Sequence, residues 1–165
     1  MGYLRRSVME RYLVDGHEIL CWPRSLSPSD CQRIGAMAPW PALESSQSIV
    51  EDRVRAQEIG FALWPFMPGM TPLRWLPSIT MTRAYKVPWH QDQKKGAGWK
   101  LCLYLDEVDR GGTVFRSQDK STIVRPPFGQ GTIVLFDIQI EHRTDDYDTK
   151  KARRVLGLRA VSEQR

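Results

Sequence analysis

Cysteine and histidine are both scarce in this chain of 165 residues, which has three of each. The cysteines, Cys21, Cys31 and Cys102, are an odd number, widely spaced, and contain no Cys-X-X-Cys pair. This pattern indicates neither a disulfide framework nor a cysteine zinc site. Unpaired cysteines are typical of a reducing compartment, so we expect the protein to be cytoplasmic.

Long apolar runs are absent as well. No stretch approaches the roughly 18 apolar residues of a membrane span, and the opening MGYLRRSVMERYLV lacks the apolar centre of a secretory signal. Lys and Arg number 24 against 19 Asp and Glu, a net charge of +5. A balance of this size permits an anionic substrate or nucleic acid but requires neither. We therefore expect a single soluble domain over residues 1–165, with no membrane partner.

The first part of that domain, residues 1–77, carries helical signals. Ser27, Pro28 and Asp30 form a helix start, with an N-cap, a proline at the first helical position and an acidic first turn. Apolar residues then recur at helical spacing. A second segment, residues 48–67 (SIVEDRVRAQEIGFALWPFM), favours a longer and less regular helix. We therefore predict a helical N-terminal part.

Residues 78–161 have a different composition. The runs SITMTRAYKV, WKLCLYLDEV, GGTVF, STIVRP, GTIVLFD and RRVLGLRAV are short and rich in β-branched or aromatic residues, with Gly, Pro and Asp between them. Short strands at this spacing after helices predict an α+β fold that is mainly β. We expect a jelly-roll core with the N-terminal helices packed on one of its sheets.

One histidine lies two residues from an aspartate, in PWHQDQ at positions 88–93. In an extended chain His90 and Asp92 point to the same face, although a chance surface pair would share this spacing. His142, after the strand-like run GTIVLFDIQIEH, adds a second imidazole. Two histidines and one carboxylate are the ligand set of a facial triad for non-haem iron. The two arginines that open RRVLGL could bind a carboxylate, because a buried guanidinium needs such a partner.

These pieces, in the order VPWHQDQ, LCLYLDEVDRGGTVF, GQGTIVLFD, EH and RRVLGL, resemble the iron(II)- and 2-oxoglutarate-dependent dioxygenases. The chain is most similar to the prolyl 4-hydroxylase-like branch, over residues 79–160. The resemblance implies a double-stranded β-helix, with Fe(II), 2-oxoglutarate and O2 as cofactor and cosubstrates. It also implies that His90, Asp92 and His142 are the metal ligands and form the catalytic centre.

The resemblance further implies which residues contact 2-oxoglutarate. Tyr104 matches the tyrosine that helps to hold the distal carboxylate, and Cys102 shares its strand face. Tyr85 lies before the His-X-Asp motif in a shortened connection and is a further candidate. Adjacent strand residues face opposite ways, so only one of Arg153 and Arg154 can enter the pocket. The spacing from the second histidine favours Arg153.

The implied reaction is hydroxylation of an unactivated C–H bond, with succinate and CO2 as co-products. The substrate is expected to be a peptide side chain of prolyl type or a small amino-acid-like metabolite. One alternative is a nucleobase-acting, AlkB-like oxygenase, for which the net charge and the pair Lys94 and Lys95 offer some support. A second alternative is a cupin-like binding domain without catalysis, but all three metal ligands are present.

Overall fold

The computed structural model describes residues 7–42, 44–93, 95–151 and 153–163. They form ten strands, two α-helices and a short 3-10 turn. The strands are β1 (Glu10–Val14), β2 (His17–Trp22), β3 (Ser46–Glu51), β4 (Leu73–Arg83), β5 (Trp99–Tyr104), β6 (Thr113–Arg116), β7 (Ile123–Val124), β8 (Ile133–Asp137), β9 (Glu141–Thr144) and β10 (Arg154–Ser162). The helices are α1 (Pro28–Gly35) and α2 (Arg53–Leu63), and the 3-10 turn is Trp64–Phe66. Neither helix has the length and apolar character needed to cross a membrane.

Two antiparallel sheets build the molecule. The major sheet has seven strands in the order β1-β2-β8-β5-β10-β4-β3, and the minor sheet has three in the order β7-β6-β9. Strands that are distant in sequence lie side by side in the major sheet, which is typical of a jelly roll. The mainly β architecture predicted from the sequence is therefore confirmed.

The N-terminal part is not only helical, which corrects the sequence-based expectation. It supplies β1, β2 and β3, and these three strands extend the major sheet at both of its edges. The predicted helix over 48–67 begins as strand β3 and becomes helical only after Asp52, whose carboxylate caps α2 by accepting a hydrogen bond from the Arg55 amide at 3.0 Å. β4 also begins at Leu73, before the predicted boundary at residue 78.

Both helices pack on one face of the major sheet, as predicted. In α1, the Ser27 side chain caps the Asp30 amide, and Cys31 and Ile34 are buried. In α2, the buried residues recur at helical spacing and include Gly60. A Cβ atom at Gly60 would lie 2.2 Å from the Trp75 indole nitrogen, so only glycine allows this close approach of helix and sheet.

Strand alternation divides the core into two layers. On β10, Leu156 and Leu158 face the layer beneath the helices. Val155 faces the layer between the two sheets, together with Phe115 of the minor sheet and Phe136 of the major one. The sheets diverge beyond this inner layer, and a cavity opens between them. The candidate site lies in that cavity.

Candidate metal centre

Two histidines that are distant in sequence are held side by side by backbone hydrogen bonds. The His90 amide donates to the His142 carbonyl at 3.0 Å, and the His142 amide donates to the His90 carbonyl at 2.9 Å. This isolated antiparallel bridge joins the loop after β4 to strand β9. The imidazole ring centroids consequently lie 4.2 Å apart.

Each imidazole is oriented by a backbone carbonyl close to it in sequence. Nδ1 of His90 lies 2.8 Å from the Pro88 carbonyl oxygen, and Nδ1 of His142 lies 2.9 Å from that of Ile140. A carbonyl oxygen can only accept a hydrogen bond, so each Nδ1 carries the proton. Each Nε2 then has a lone pair available, and this arrangement is typical of histidines that ligate a metal.

Asp92 completes the group. Its Oδ1 lies 3.3 Å from Nε2 of His90, and its Oδ2 lies 3.9 Å from Nε2 of His142. The intervening Gln91 points away and donates to the Gln139 carbonyl at 2.7 Å. His90 and Asp92 therefore share one side of the chain, as their spacing predicted, and candidate ligand atoms of the three residues lie within 4.8 Å of one another.

Burial alone would raise the pKa of Asp92. The hydrogen bond that His90 donates when it is protonated, together with the fields of His142 and Lys100, outweighs burial and lowers this pKa to about 2. The carboxylate is therefore ionised at neutral pH, yet its buried Oδ2 has no hydrogen-bond partner among the described residues. An ionised, unpartnered oxygen beside two imidazole nitrogens is costly unless a cation binds there. The residues present thus fit a divalent metal ion.

The cavity next to this triad is open to solvent, and the empty space inside it and in its mouth totals about 630 Å³. Its walls come from both sheets and from the loop after β4. The lining residues outside the triad include Gln47, Thr80, Thr82, Lys100, Cys102, Thr113, Arg143, Arg153, Val155 and Gly157.

The structure places Arg153 in the wall of this cavity. Its side chain is 3% exposed, and its Nε donates to the Gly111 carbonyl at 2.6 Å. The guanidinium carbon lies 5.8 Å from the ring centroid of Tyr104 and 5.0 Å from that of Tyr147. These aromatic and backbone contacts hold the cation without a carboxylate partner among the described residues.

Arg154 faces the opposite way. Its guanidinium forms two hydrogen bonds to Asp106, of 3.0 and 2.8 Å, and its backbone amide adds a third of 2.7 Å. Asp106 therefore neutralises Arg154 on the far side of the sheet. The alternation of adjacent residues expected from the sequence places only Arg153 at the cavity.

Of the other three residues predicted to contact 2-oxoglutarate, one lines the cavity and two do not. Cys102 lines the cavity, and burial raises the pKa of its thiol to about 11. Tyr104 is buried behind the wall, where its hydroxyl pairs with the Thr113 hydroxyl. Tyr85 is 40% exposed and is not brought to the cavity. The preceding Ala84, just after the end of β4, adopts a positive φ of 47°.

Lys100 is a cavity residue that the sequence reasoning missed. It follows the period of two that connects Tyr104 and Cys102 on β5, so the same alternation could have identified it. Its Nζ donates to the Thr80 hydroxyl at 2.7 Å, and burial lowers its pKa. Of the two lysines considered for nucleic-acid binding, Lys94 lies outside the described residues and Lys95 is exposed.

The buried histidine predicts a pH effect on the metal-free protein. Burial lowers the pKa of His142 from 6.5 to about 4, so between these pH values the unfolded state binds a proton that the folded state does not. The contribution of neutral His142 to the free energy of unfolding is complete above pH 6.5 and is lost as the pH falls toward 4. The loss at pH 4.5 is expected to be about 2 kcal/mol.

Urea unfolding with a chelator at pH 7 and pH 4.5 measures this effect. His90 acts in the opposite direction, because its hydrogen bond with Asp92 raises its pKa. The test therefore compares the wild type with His142→Gln, in which His90 remains. The drop in unfolding free energy should be about 2 kcal/mol smaller in the variant, and equal drops in both proteins would contradict the prediction.

No protein-family model matches the chain, and no curated protein matches it in sequence. Solved structures do match it. A 2OG-Fe(II) oxygenase family oxidoreductase from Burkholderia pseudomallei has a TM-score of 0.61 at 13% identity, covering 87% of this chain and 84% of its own. EvdO2 from Micromonospora carbonacea var. aurantiaca, complexed with 2-oxoglutarate, has a TM-score of 0.60 at 14% identity, covering 94% of both chains.

A prolyl-4-hydroxylase from Pseudomonas putida has a TM-score of 0.55 at 15% identity, covering 90% of this chain and 94% of its own. The three structures therefore match nearly the whole length of the chain. The likeness shows that the chain has the fold of the 2OG-Fe(II) oxygenases, as the sequence resemblance predicted. A shared fold does not determine an activity, which depends on the residues of the site.

Proposed function

We propose that this protein is an Fe(II)- and 2-oxoglutarate-dependent oxygenase. The observation that carries the proposal is the buried, ionised and unpartnered oxygen of Asp92 beside the Nε2 atoms of His90 and His142. Two imidazoles and one carboxylate leave coordination positions open on an octahedral metal, as oxygen activation requires. The fold shared with 2OG-Fe(II) oxygenases supports iron over other divalent metals.

The three ligands would hold the metal at the inner end of the cavity. Bound Fe(II) with 2-oxoglutarate supplies the chemistry of oxygen activation, and the protein supplies binding and orientation. The backbone carbonyls of Pro88 and Ile140 keep both imidazoles in the tautomer with a free Nε2. The histidines are thus preorganised for the metal before it binds.

Arg153 would bind the distal carboxylate of 2-oxoglutarate. It is a buried guanidinium at the cavity wall, and such a group binds a carboxylate strongly because water does not compete. The ring of Tyr104 lies near the guanidinium and stabilises it there. The neutral thiol of Cys102 lies on the same wall and would add contact area without charge.

The reaction proposed is oxidation of an unactivated C–H bond, most simply hydroxylation, with release of succinate and CO2. The same cavity must hold both 2-oxoglutarate and the target group. The substrate proposed is a small amino-acid-like metabolite or one side chain of a peptide, including a prolyl side chain.

Succinate release tests this proposal. The purified protein should form succinate from 2-oxoglutarate only when Fe(II), O2 and a substrate of the right class are all present. Panels of amino acids and carboxylated metabolites, prolyl peptides and methylated oligonucleotides would be compared with a no-substrate control. Stimulation by oligonucleotides alone would favour the nucleobase alternative. A metal-loaded protein that binds no 2-oxoglutarate and forms no succinate would favour the non-catalytic domain.

A further inference from the structure

Lys100 is a second cation in the cavity, at the opposite end from Arg153. β5 and β10 are antiparallel, and Tyr104 pairs with Val155 while Lys100 pairs with Arg159. Arg153 precedes Val155 and so lies beyond the Tyr104 end. Lys100, Thr80 and Gly157 form the part of the lining that we call the floor of the cavity. The Lys100 ammonium reaches back to Gly157, and the four residues from Arg153 to Gly157 span about 13 Å of extended chain. A dicarboxylate held by Arg153 and the metal therefore does not extend along this floor to Lys100.

The ammonium of Lys100 is held in a specific place on the cavity floor. Its Nζ donates to the Thr80 hydroxyl at 2.7 Å, across the intervening strand β10. The side chain can cross there because residue 157 is glycine. A Cβ atom at Gly157 would lie 2.9 Å from Cε and 3.0 Å from Nζ of Lys100. Thr80 and Gly157 thus position the charge on the floor rather than in solvent.

Lys100 and the metal centre share one cavity, because Lys100 lines it together with His90, Asp92 and His142. In the described parts of the chain, no carboxylate forms an ion pair with Lys100, and its one hydrogen-bond partner, Thr80, is neutral. Placing an unpaired cation in a partly buried wall is costly unless a ligand provides the counter-charge.

A count of the charges in the cavity, with metal and 2-oxoglutarate bound, supports the same conclusion. A divalent metal, Arg153 and Lys100 would be positive, whereas Asp92 and the two carboxylates of 2-oxoglutarate would be negative. Arg143, also in the wall, is already near the carboxylates of Asp145 and Asp146. Among these groups one positive charge is left over. We assign it to Lys100, because Asp92 and 2-oxoglutarate balance the metal and Arg153.

We propose that Lys100, held by Thr80, binds the carboxylate of the primary substrate. The substrate is then a small monoanionic molecule, whose oxidised C–H group lies between this carboxylate and the metal. Gln47 and Thr82 line the same cavity and offer neutral hydrogen bonds to the rest of the molecule. This inference rests on the proposed function and narrows its substrate class to molecules with a free carboxylate.

A carboxylate fits this position better than a phosphate group. One ammonium and one hydroxyl match a single negative charge, whereas a phosphomonoester carries nearly two at neutral pH. Phosphate sites also commonly use arginine forks or helix N-termini. Arg159, which pairs with Lys100 across β10 and β5, instead donates to Gln93 at 3.2 Å.

Calorimetric titration of matched probes tests the inference. The protein, loaded with Mn(II) in place of iron and saturated with 2-oxoglutarate, would be titrated with free and N-acetylated amino acids and with their carboxamides. In the wild type, at least one carboxylate should bind tenfold or more tightly than its amide. In Lys100→Gln this preference should fall to within about twofold. Lys95→Gln, a matched change at an exposed lysine, should keep it.

The inference is overturned if no pair shows a carboxylate preference, or if the preference survives in Lys100→Gln. Tighter binding of O-phosphoserine than of the carboxylate probes, dependent on Lys100, would overturn the carboxylate assignment. Thermal melting of both variants checks that they fold.

A 2-oxoglutarate titration of the same proteins separates this inference from the proposed function. Affinity for 2-oxoglutarate should stay within about threefold in Lys100→Gln. A loss above tenfold would make Lys100 the cosubstrate residue and overturn the inference. If the wild type binds no 2-oxoglutarate, the proposed function fails, and the matched probes on the Mn(II)-loaded protein still decide the role of Lys100.

Discussion

Replacing His90 with alanine is expected to abolish iron-dependent succinate formation while the protein remains folded. The side chain supplies one of three ligand atoms, and its Nε2 faces the metal position rather than the core. Loss of one ligand from a three-ligand site should lower metal affinity by several orders of magnitude, because the two remaining ligands no longer define a closed face. Bound iron after desalting and succinate release are the two measurements.

His17 provides the matched control, because it is the remaining histidine of the chain. It lies on β2 and pairs with Asp137 at 2.9 Å, outside the cavity wall. His17→Ala should therefore keep both bound iron and activity. Near-wild-type activity in His90→Ala would contradict the triad assignment, and so would a loss of iron in His17→Ala equal to that in His90→Ala.

Replacing Arg153 with alanine is expected to raise the KM for 2-oxoglutarate by two or more orders of magnitude. Removing one partner of a buried, hydrogen-bonded charge pair costs about 3–5 kcal/mol, and each 1.4 kcal/mol corresponds to about tenfold in affinity. Arg153→Lys keeps the charge but loses the planar fork, so it should recover only part of the affinity. Titration of 2-oxoglutarate at saturating iron measures each variant.

Arg154→Ala is the adjacent control. Its guanidinium is bound to Asp106 on the far side of the sheet, so the KM for 2-oxoglutarate should stay within about threefold. Loss of this ion pair should instead lower the unfolding free energy by about 1–2 kcal/mol. The reverse ranking of the two variants would place the dicarboxylate on the other face of β10. Small changes of KM in both variants would show that the dicarboxylate does not bind at this strand.

The sequence alone contained the signals for the jelly roll and for the candidate metal ligands. Strand-length apolar runs between turn residues predict the jelly roll. His90 and Asp92 share one side through their spacing of two residues, whereas His142 was added by the order of motifs that the family resemblance rests on. The choice between Arg153 and Arg154 was also close to decided, because adjacent strand residues must face opposite ways. The structure agrees with the favoured face, and the role of Arg153 remains a prediction.

The first half of the chain was harder to predict, and its strand β3 lies at an edge of the major sheet. The sequence of β3, SQSIVE, does not alternate apolar with polar residues, and Ile49 is 67% exposed, so the segment lacks the pattern that identifies a strand. It becomes a strand because β4 offers a partner for six residues in register. β1 and β2 pair with each other as a hairpin through the two-residue turn Asp15–Gly16, a local signal that the prediction missed, and β2 also pairs with β8. The pairing of β3 with β4 and of β2 with β8 is a long-range property that no local pattern contains.

The sequence by itself thus determined which side chains could bind a metal, since that depends on residue type and on the order of the motifs along the chain. Only the tertiary structure decided what surrounds them. It moved Tyr85 out of the cavity through one turn, and it placed Lys100 against Thr80 through a gap left by Gly157 on a third strand. The physical reason is that a cavity is formed by strands remote in sequence, and each wall residue is selected by the register of all of them together.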